Sequence, residues 1–247
     1  MQNQGELNFL SAPDKRGFIR NMFDSFAGRY DFFNRVASLF LESRWRKTLN
    51  NAIRSNTRIL DVCTGTGTQV FSMSVKTEGK CKIVGIDFSE NMLSVARKKL
   101  QSRRYRLFED SIEFKQASAE QLPFHDHAFD TVCTEFAMRN VVDIAEAVVA
   151  EMLRVVKPGG QVLILELTRP RYKILRFLHA GYLYLLLPLW GKLILREKRG
   201  TRYLRDSVNS FYSAEDFVAL MKRIGFKEVR ADSLSGGIAT LFTGRKG

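Results

Sequence analysis

The chain has 247 residues, 45% of them hydrophobic, with 39 Lys+Arg against 26 Asp+Glu and a net charge of +13. That is enough for one large domain, or one domain with appendages, and its positive surface attracts anions such as nucleic acid or an acidic membrane face. Cys63, Cys81 and Cys133 show neither CxxC spacing nor a metal pattern, and Met1–Leu10 lacks the charged-then-apolar run of a secretion signal. The expectation is therefore a cytoplasmic protein whose cysteines are small buried hydrophobes. No internal repeat or low-complexity tract is present.

In chain order, Arg16–Ala52 reads as helical, with Phe18, Met22, Phe23 and Phe26, then Phe33, Val36, Leu39 and Phe40, at helical spacing. Arg58–Val62 reads as a buried strand. The glycine-rich LDVCTGTGT and a helix from about Gln69 follow. Cys81–Asp87 is a second strand, and Ser89 suits the N-cap of the next helix. Ile112–Gln116 and Phe129–Glu135 are strands three and four. Asp143 and Glu146 form a capping-box-like start to AEAVVAEMLRVV. Pro158-Gly159-Gly160 stops that helix and launches strand five, Gln161–Leu167. Alternating strands and helices predict a parallel sheet wrapped on both faces. An apolar stretch, Ile174–Leu195, then interrupts the rhythm, and Arg196, Lys198, Arg199, Arg202 and Arg205 follow it. A second capping-box-like start at Ser213 opens another helix, and the tail reads as two strands around Ser235-Gly236-Gly237. The predicted organisation is one domain over 1–247: a helical cap (1–55), a cofactor-binding core (56–167), an apolar and basic lid insertion (168–211) and a C-terminal helix with strands (212–247).

The glycine loop narrows the ligand. A dinucleotide fingerprint needs a third glycine, but this loop runs on through Gln69 to Val70; a phosphate-cradling P-loop needs GK[ST], which Thr68 and Gln69 do not supply. Both departures count against a pyrophosphate. S-adenosylmethionine carries none, so a shorter glycine turn suffices for its methionine part. Asp61 is a partner for its ammonium, and Asp87, 26 residues on, for both ribose hydroxyls. The plainer alternative for Asp87 is a helix cap or a solvated strand-end charge.

Eight stretches from residue 22 to residue 244 then carry a resemblance: MFDSFAGRYDFFNRVASL, LDVCTGTGT, GIDFSENML, ASAEQLPFHDHAFD, FAMRNVVD, RVVKPGG, YLRDSVNSF and GFKEVRADSLSGGIATLFTG. The chain resembles the ubiquinone/menaquinone biosynthesis C-methyltransferase family. The glycine loop and KPGG are generic to class I methyltransferases; the YDxxN-type segment, MRN and YLxxS are much narrower. The resemblance implies a Rossmann-like class I methyltransferase, with a seven-stranded, mostly parallel sheet and S-adenosylmethionine as cofactor. It places the methionine part along Gly65, Thr66 and Gly67, the ribose on Asp87 and the adenine against Ser118 and Ala119. The sequence departs from the family in three places. Ser118 stands where Asp or Asn is common, Thr68 replaces a common acid, and Glu135 replaces a usual small residue. Glu135 either touches the methionine ammonium or points to solvent.

The implied reaction is C-methylation of a prenylated quinol ring, for which a hydroxyl titrating near ~10 must be held as its anion. Arg139 is the candidate for stabilising that anion, because a guanidinium does not readily act as a base. Asn140 is a candidate hydrogen-bond partner for a quinol oxygen, and Tyr30 for closing the pocket from above. The base is left open between Asp31, Asp206 and a water held by Arg139. Each role has a structural alternative: a strand-end Arg is often surface charge, and Tyr30 suits a core. His125 and His127 read as a solvated turn and His179 as a packed or interfacial imidazole, with no metal expected.

Ile174–Leu195 is 22 residues long, enough to cross a bilayer, yet Arg176, Pro188 and Lys192 interrupt it and it lies between strands of one domain. The expectation is a lid over a prenyl tail. Arg169, Arg171, Lys173, Arg176, Arg196, Lys198 and Arg199 would lie near anionic headgroups, at the inner face of the cytoplasmic membrane. Core packing or a homodimer contact is the alternative. A nucleic acid methyltransferase would need an acidic or Asn residue followed by two prolines and an aromatic after strand four, and FAMRNV offers none. Another lipid or small-molecule acceptor, or a scaffold without turnover, stays open. So does the choice between demethylmenaquinol, which is preferred, and a methoxy-polyprenyl-benzoquinol.

Overall fold

The structure, a computed structural model, describes residues 12–195 and 199–247. Arg196 and Lys198 of the basic run, and the Met1–Leu10 stretch, lie outside the described residues. Seven strands, β1 (Arg58–Val62), β2 (Lys82–Asp87), β3 (Ile112–Gln116), β4 (Phe129–Glu135), β5 (Val156–Leu167), β6 (Lys227–Leu234) and β7 (Ala239–Arg245), form one sheet in the order β3-β2-β1-β4-β5-β7-β6. The first five run parallel, and β7 lies antiparallel to both neighbours. Strand five starts earlier than its glycines suggest. Pairing jumps from Phe129↔Val156 to Thr131↔Gln161, so Pro158-Gly159-Gly160 is an irregularity within β5 and not its lead-in. Gly160 fits because a Cβ there would lie 2.8 Å from the Asp130 carbonyl oxygen.

Alternation along the strands separates two cores. Leu60, Val62, Val84, Ile86, Val162 and Ile164 pack on one face, against α6 (Ala145–Val155) and α10 (Ala214–Ile224). Ile59, Ile83, Leu163 and Leu165 pack on the other, against α3 (Glu42–Asn51), α4 (Thr68–Lys76) and α5 (Glu90–Leu100). Ser89 caps α5 by accepting from the Met92 N–H at 3.1 Å, and Ser213 caps α10 by accepting from Asp216 at 3.1 Å. The capping box expected at Asp143 does not form. A 3₁₀ segment, Met138–Ile144, brings the chain in, and α6 begins at Ala145 behind Ile144, which offers no capping side chain.

The N-terminal region, read as helical over Arg16–Ala52, is built of three helices: α1 (Ala12–Phe26), α2 (Tyr30–Ala37) and α3. Leu39 and Phe40 take left-handed φ values of 50° and 63°, which no continuing helix tolerates, and both side chains are exposed. The apolar stretch forms α7 (Lys173–Gly181), α8 (Leu187–Trp190) and intervening π-type turns, ahead of α9 (Arg199–Ser210). Wide turns on either side of α8 suit Pro188, which has no N–H to donate. Leu183 and Leu187 are buried against Ile19 and Met22 of α1, Phe33 of α2, and Tyr203 and Val208 of α9, forming a third core between cap and insertion.

Candidate active site

At the carboxyl ends of β1, β2 and β4 lies a cleft of about 860 Å³, beside the point where strand order reverses. Asp61, Gly65, Thr66, Asp87, Ser118, Ala119 and Glu135 all line it. Gly67, expected beside them, does not. It takes φ +77°, and a Cβ there would lie 3.0 Å from both Phe71 and Phe114 and 3.1 Å from Ala96. Its work is to let the glycine turn pack onto α4 and α5.

Asp87 folds the loop as well as lining the cleft. Its Oδ2 accepts from the Gly65 N–H at 2.8 Å and its Oδ1 from the Ser89 N–H at 2.9 Å. Each oxygen keeps a further lone pair for a ligand. Burial pushes this carboxyl up to about 6, with the two backbone donors opposing. Asp61 is buried too, accepting from Thr64 Oγ1 at 2.7 Å, and burial pushes it up to about 7.

Glu135 does not point to solvent. Its side chain is 8% exposed, its Oε2 accepts from Arg46 Nε at 2.9 Å, and its Oε1 is buried without a partner among the described residues. Burial raises its pKa, with Arg46 opposing. Gln69 Oε1, also in a residue lining the cleft, is a second buried acceptor without a partner, since its Nε2 is committed to Asn50 at 2.9 Å. Two orphaned acceptors and three acids raised by burial describe a site short of positive charge and of donors. S-adenosylmethionine, with an ammonium and a sulfonium, fits that deficit.

Thr68 is tied to the cap. Asp31 of α2 accepts from Thr66 Oγ1 at 2.6 Å and Thr68 Oγ1 at 3.1 Å and pairs with Lys99, so the cap supplies an acid beside this position.

Arg139 and Asn140 diverge. Asn140 lines the main cleft, and its Oδ1 accepts from Tyr203 at 3.1 Å. Arg139 lines a second, smaller cavity of about 230 Å³. That cavity is walled by Ala37 and Leu41 from the cap, Leu175, Leu178 and Leu183 from the insertion and Val208 of α9. Tyr30, Asn34, Glu42 and Phe136 line both spaces. Arg139 is no surface charge: its Nη1 donates to Glu166 Oε1 at 3.0 Å and also to the Phe136 carbonyl, and its backbone N–H donates to Glu166 Oε2 at 3.1 Å. Glu166 is fully buried, and Arg139 Nε is buried without a partner among the described residues. Burial raises the Tyr30 pKa, with the Arg139 charge pulling the other way, so the phenol keeps its proton at neutral pH.

Glu166, Arg46, Glu42, Gln69 and Tyr203 escape the sequence reading. Glu166 had a signal, an acid inside the apolar run LILEL. Arg46 had none, because its partner stands 89 positions away.

The family model of the ubiE/COQ5 methyltransferase family matches residues 11–246. The chain belongs to this family. It is 40% identical over 244 residues to the ubiquinone/menaquinone biosynthesis C-methyltransferase UbiE of Geobacter sulfurreducens, covering 98% of this chain and 93% of that relative. It is 34% identical over 239 residues to a demethylmenaquinone methyltransferase of Desulfitobacterium hafniense, covering 96% and 93%. Among solved structures, a SAM-dependent methyltransferase of Thermotoga maritima, a possible histamine N-methyltransferase, superposes with a TM-score of 0.63 at 20% identity, covering 92% of this chain and 99% of that one. That likeness bears out the Rossmann-like fold. As a member of the ubiE/COQ5 family the chain is an S-adenosylmethionine-dependent methyltransferase, and the main cleft, with its unpartnered acceptors and buried acids, fits that donor.

Proposed function

We propose that the protein methylates a ring carbon of a prenylated quinol, with demethylmenaquinol the preferred acceptor. The names of its relatives support this reading, and the place of Arg139 carries it. A buried guanidinium with one N–H unpartnered lines an apolar cavity that shares four wall residues with the donor cleft. When bound, the cofactor supplies an electrophilic methyl group on a sulfonium. The residues of the chain supply the acceptor's reactivity. Arg139 favours the ring oxygen as an anion, and Glu166 fixes the guanidinium so that little reorganisation accompanies charge formation. Asn140, whose Oδ1 is held by Tyr203, lines the main cleft and keeps its amide N–H₂ to donate to a quinol oxygen. The leucine-rich walls exclude water and accept a hydrocarbon tail. Incubation with labelled S-adenosylmethionine and, separately, reduced demethylmenaquinol or the methoxy-polyprenyl-benzoquinol should place label in a quinol, demethylmenaquinol first. Label in neither, with donor binding intact, would sink the quinol reading.

The insertion supports a second part of this reading, peripheral attachment to an anionic membrane at the cytoplasmic face. Lys173–Ile194 is long and apolar enough to cross a bilayer, and only 17% of its apolar window is buried. Yet Leu183 and Leu187 pack into the cap, so the helix is held within the domain. Ile174, Phe177, Leu185 and Leu193 are each at least 70% exposed, with Arg171, Lys173 and Arg176 exposed among them. An apolar face flanked by cations matches the bilayer interface, each basic residue adding about 1 kcal/mol near anionic lipid. The protein should float with vesicles of anionic phospholipid at low salt and release as salt rises. Phe177→Asp should weaken flotation at every salt concentration. Absence of binding at low salt would remove the membrane assignment and leave the methyl transfer standing.

A further inference from the structure

The two carboxylates considered as proton acceptors are engaged away from the acceptor cavity. Asp31 is bound to Thr66, Thr68 and Lys99 at the donor cleft. Asp206 pairs with Arg205 at 2.7 Å and lines neither space. Among the described residues, the cavity's titratable side chains are Tyr30, Glu42, Arg139, His179 and Tyr182. Burial raises both tyrosines, so each keeps its proton at neutral pH, and Tyr182 already donates to the Ala37 carbonyl at 2.7 Å. Arg139 is a cation held by Glu166, and Glu42 faces Arg46 at 3.4 Å. His179, on α7, is half-buried and makes no hydrogen bond to a described residue. Burial lowers its pKa from 6.5, so its imidazole is neutral and able to take a proton at pH 7.

We propose that His179 is the catalytic base of the quinol methylation, taking the ring hydroxyl proton while Arg139 holds the oxygen anion; the assignment rests on the quinol reading above. The O–H bond breaks, a N–H bond forms on the imidazole, and the oxygen's electron pair is shared with the adjacent ring carbon. That carbon forms the new C–C bond with the methyl group, whose bonding pair to sulfur stays on sulfur. The ring C–H proton then leaves to water. The pair it leaves restores the aromatic ring, and the carbonyl oxygen recovers the proton held by His179. One methyl enters the ring and one proton is released.

His179→Ala and His179→Gln should each lower kcat by about 100-fold or more, the scale of lost general-base catalysis. Donor affinity by calorimetry and the melting temperature should stay at wild-type values. With the donor saturating, so that its own pH-dependent binding drops out, the acid limb of kcat/KM for the quinol, where the rate falls as pH drops below 6.5 and His179 takes on a proton, should vanish in both variants. Added imidazole should restore much of the rate of His179→Ala. Wild-type rate in the variants would overturn the proposal. So would a loss that imidazole leaves untouched while the acid limb persists, which marks a structural role. If the wild-type enzyme labels no quinol, the quinol reading itself falls, a result distinct from either.

Discussion

Arg139→Ala should lower kcat by about 10³-fold while donor affinity holds, because in the proposed reaction the guanidinium acts on an oxygen that becomes anionic only as the methyl is transferred. It lines the smaller cavity, proposed for the acceptor, and not the main cleft. The same substitution also strands Glu166, which is fully buried and takes both the Arg139 side chain at 3.0 Å and its backbone N–H at 3.1 Å. Removing one partner of such a pair typically costs about 3–5 kcal/mol, so the variant should melt well below wild type. The two effects separate in the double variant Arg139→Leu with Glu166→Gln. That pair carries no uncompensated charge and should recover most of the stability and none of the rate. Label transfer and thermal melts on the three proteins check it. A double variant with restored kcat would show that Arg139 matters only as a structural cation.

Asp61→Asn should stabilise the ligand-free protein at pH 8 and weaken donor binding by about 10–100-fold, on the scale of one lost charge-assisted hydrogen bond. Burial holds the Asp61 carboxyl at about 7 against an ordinary 3.8, so the folded state binds this proton more tightly than the unfolded chain. Stability is therefore lost as pH rises from about 4 to about 7, where the unfolded chain has given up its proton and the fold is made to follow. An amide has no such loss, and Thr64 at 2.7 Å still finds an oxygen acceptor. For the wild-type enzyme the same linkage couples donor binding to proton release. A ligand ammonium favours the ionised Asp61 carboxylate, so affinity should rise as pH climbs toward about 7, by about tenfold per unit at most for the one proton released, and level off above it. Calorimetry in buffers of different ionisation enthalpy measures the protons directly. Binding that is indifferent to pH between 5.5 and 8 would show that Asp61 does not face the donor's charge.

The strands and their order of chemistry were legible without coordinates, because both signals are local. Apolar runs of five to seven residues mark buried strands, and the two glycines with Asp61 and Asp87 sit where such strands end. The missing third glycine counted against a dinucleotide within a handful of residues. Ser89 and Ser213 announced their caps for the same reason, since a cap bond spans three positions. Asp143 offered an identical local signal and failed, because the 3₁₀ approach set by Met138–Ile144 placed Ile144 at the cap.

Only the tertiary structure could assign the partners. Arg46 and Glu135, Arg139 and Glu166, and Asp31 and Lys99 are pairs whose members stand on different elements, and no periodicity encodes which charge meets which. The same holds for the two cavities. The sequence marks Arg139-Asn140 as one motif, but the backbone turn there sends one side chain to each space. Gly67 reads as a ligand contact in the chain and is a packing contact in the fold, because what a glycine makes room for depends on the helices that arrive beside it. By itself, then, the sequence determined the fold class and favoured the donor through patterns within a few residues of one another, and the chemistry required at the ring came with the family resemblance that its eight stretches carry together. Packing decided which charges are buried, which are paired and which polar atoms are left for a ligand, since burial is a property of the assembled molecule and not of any segment.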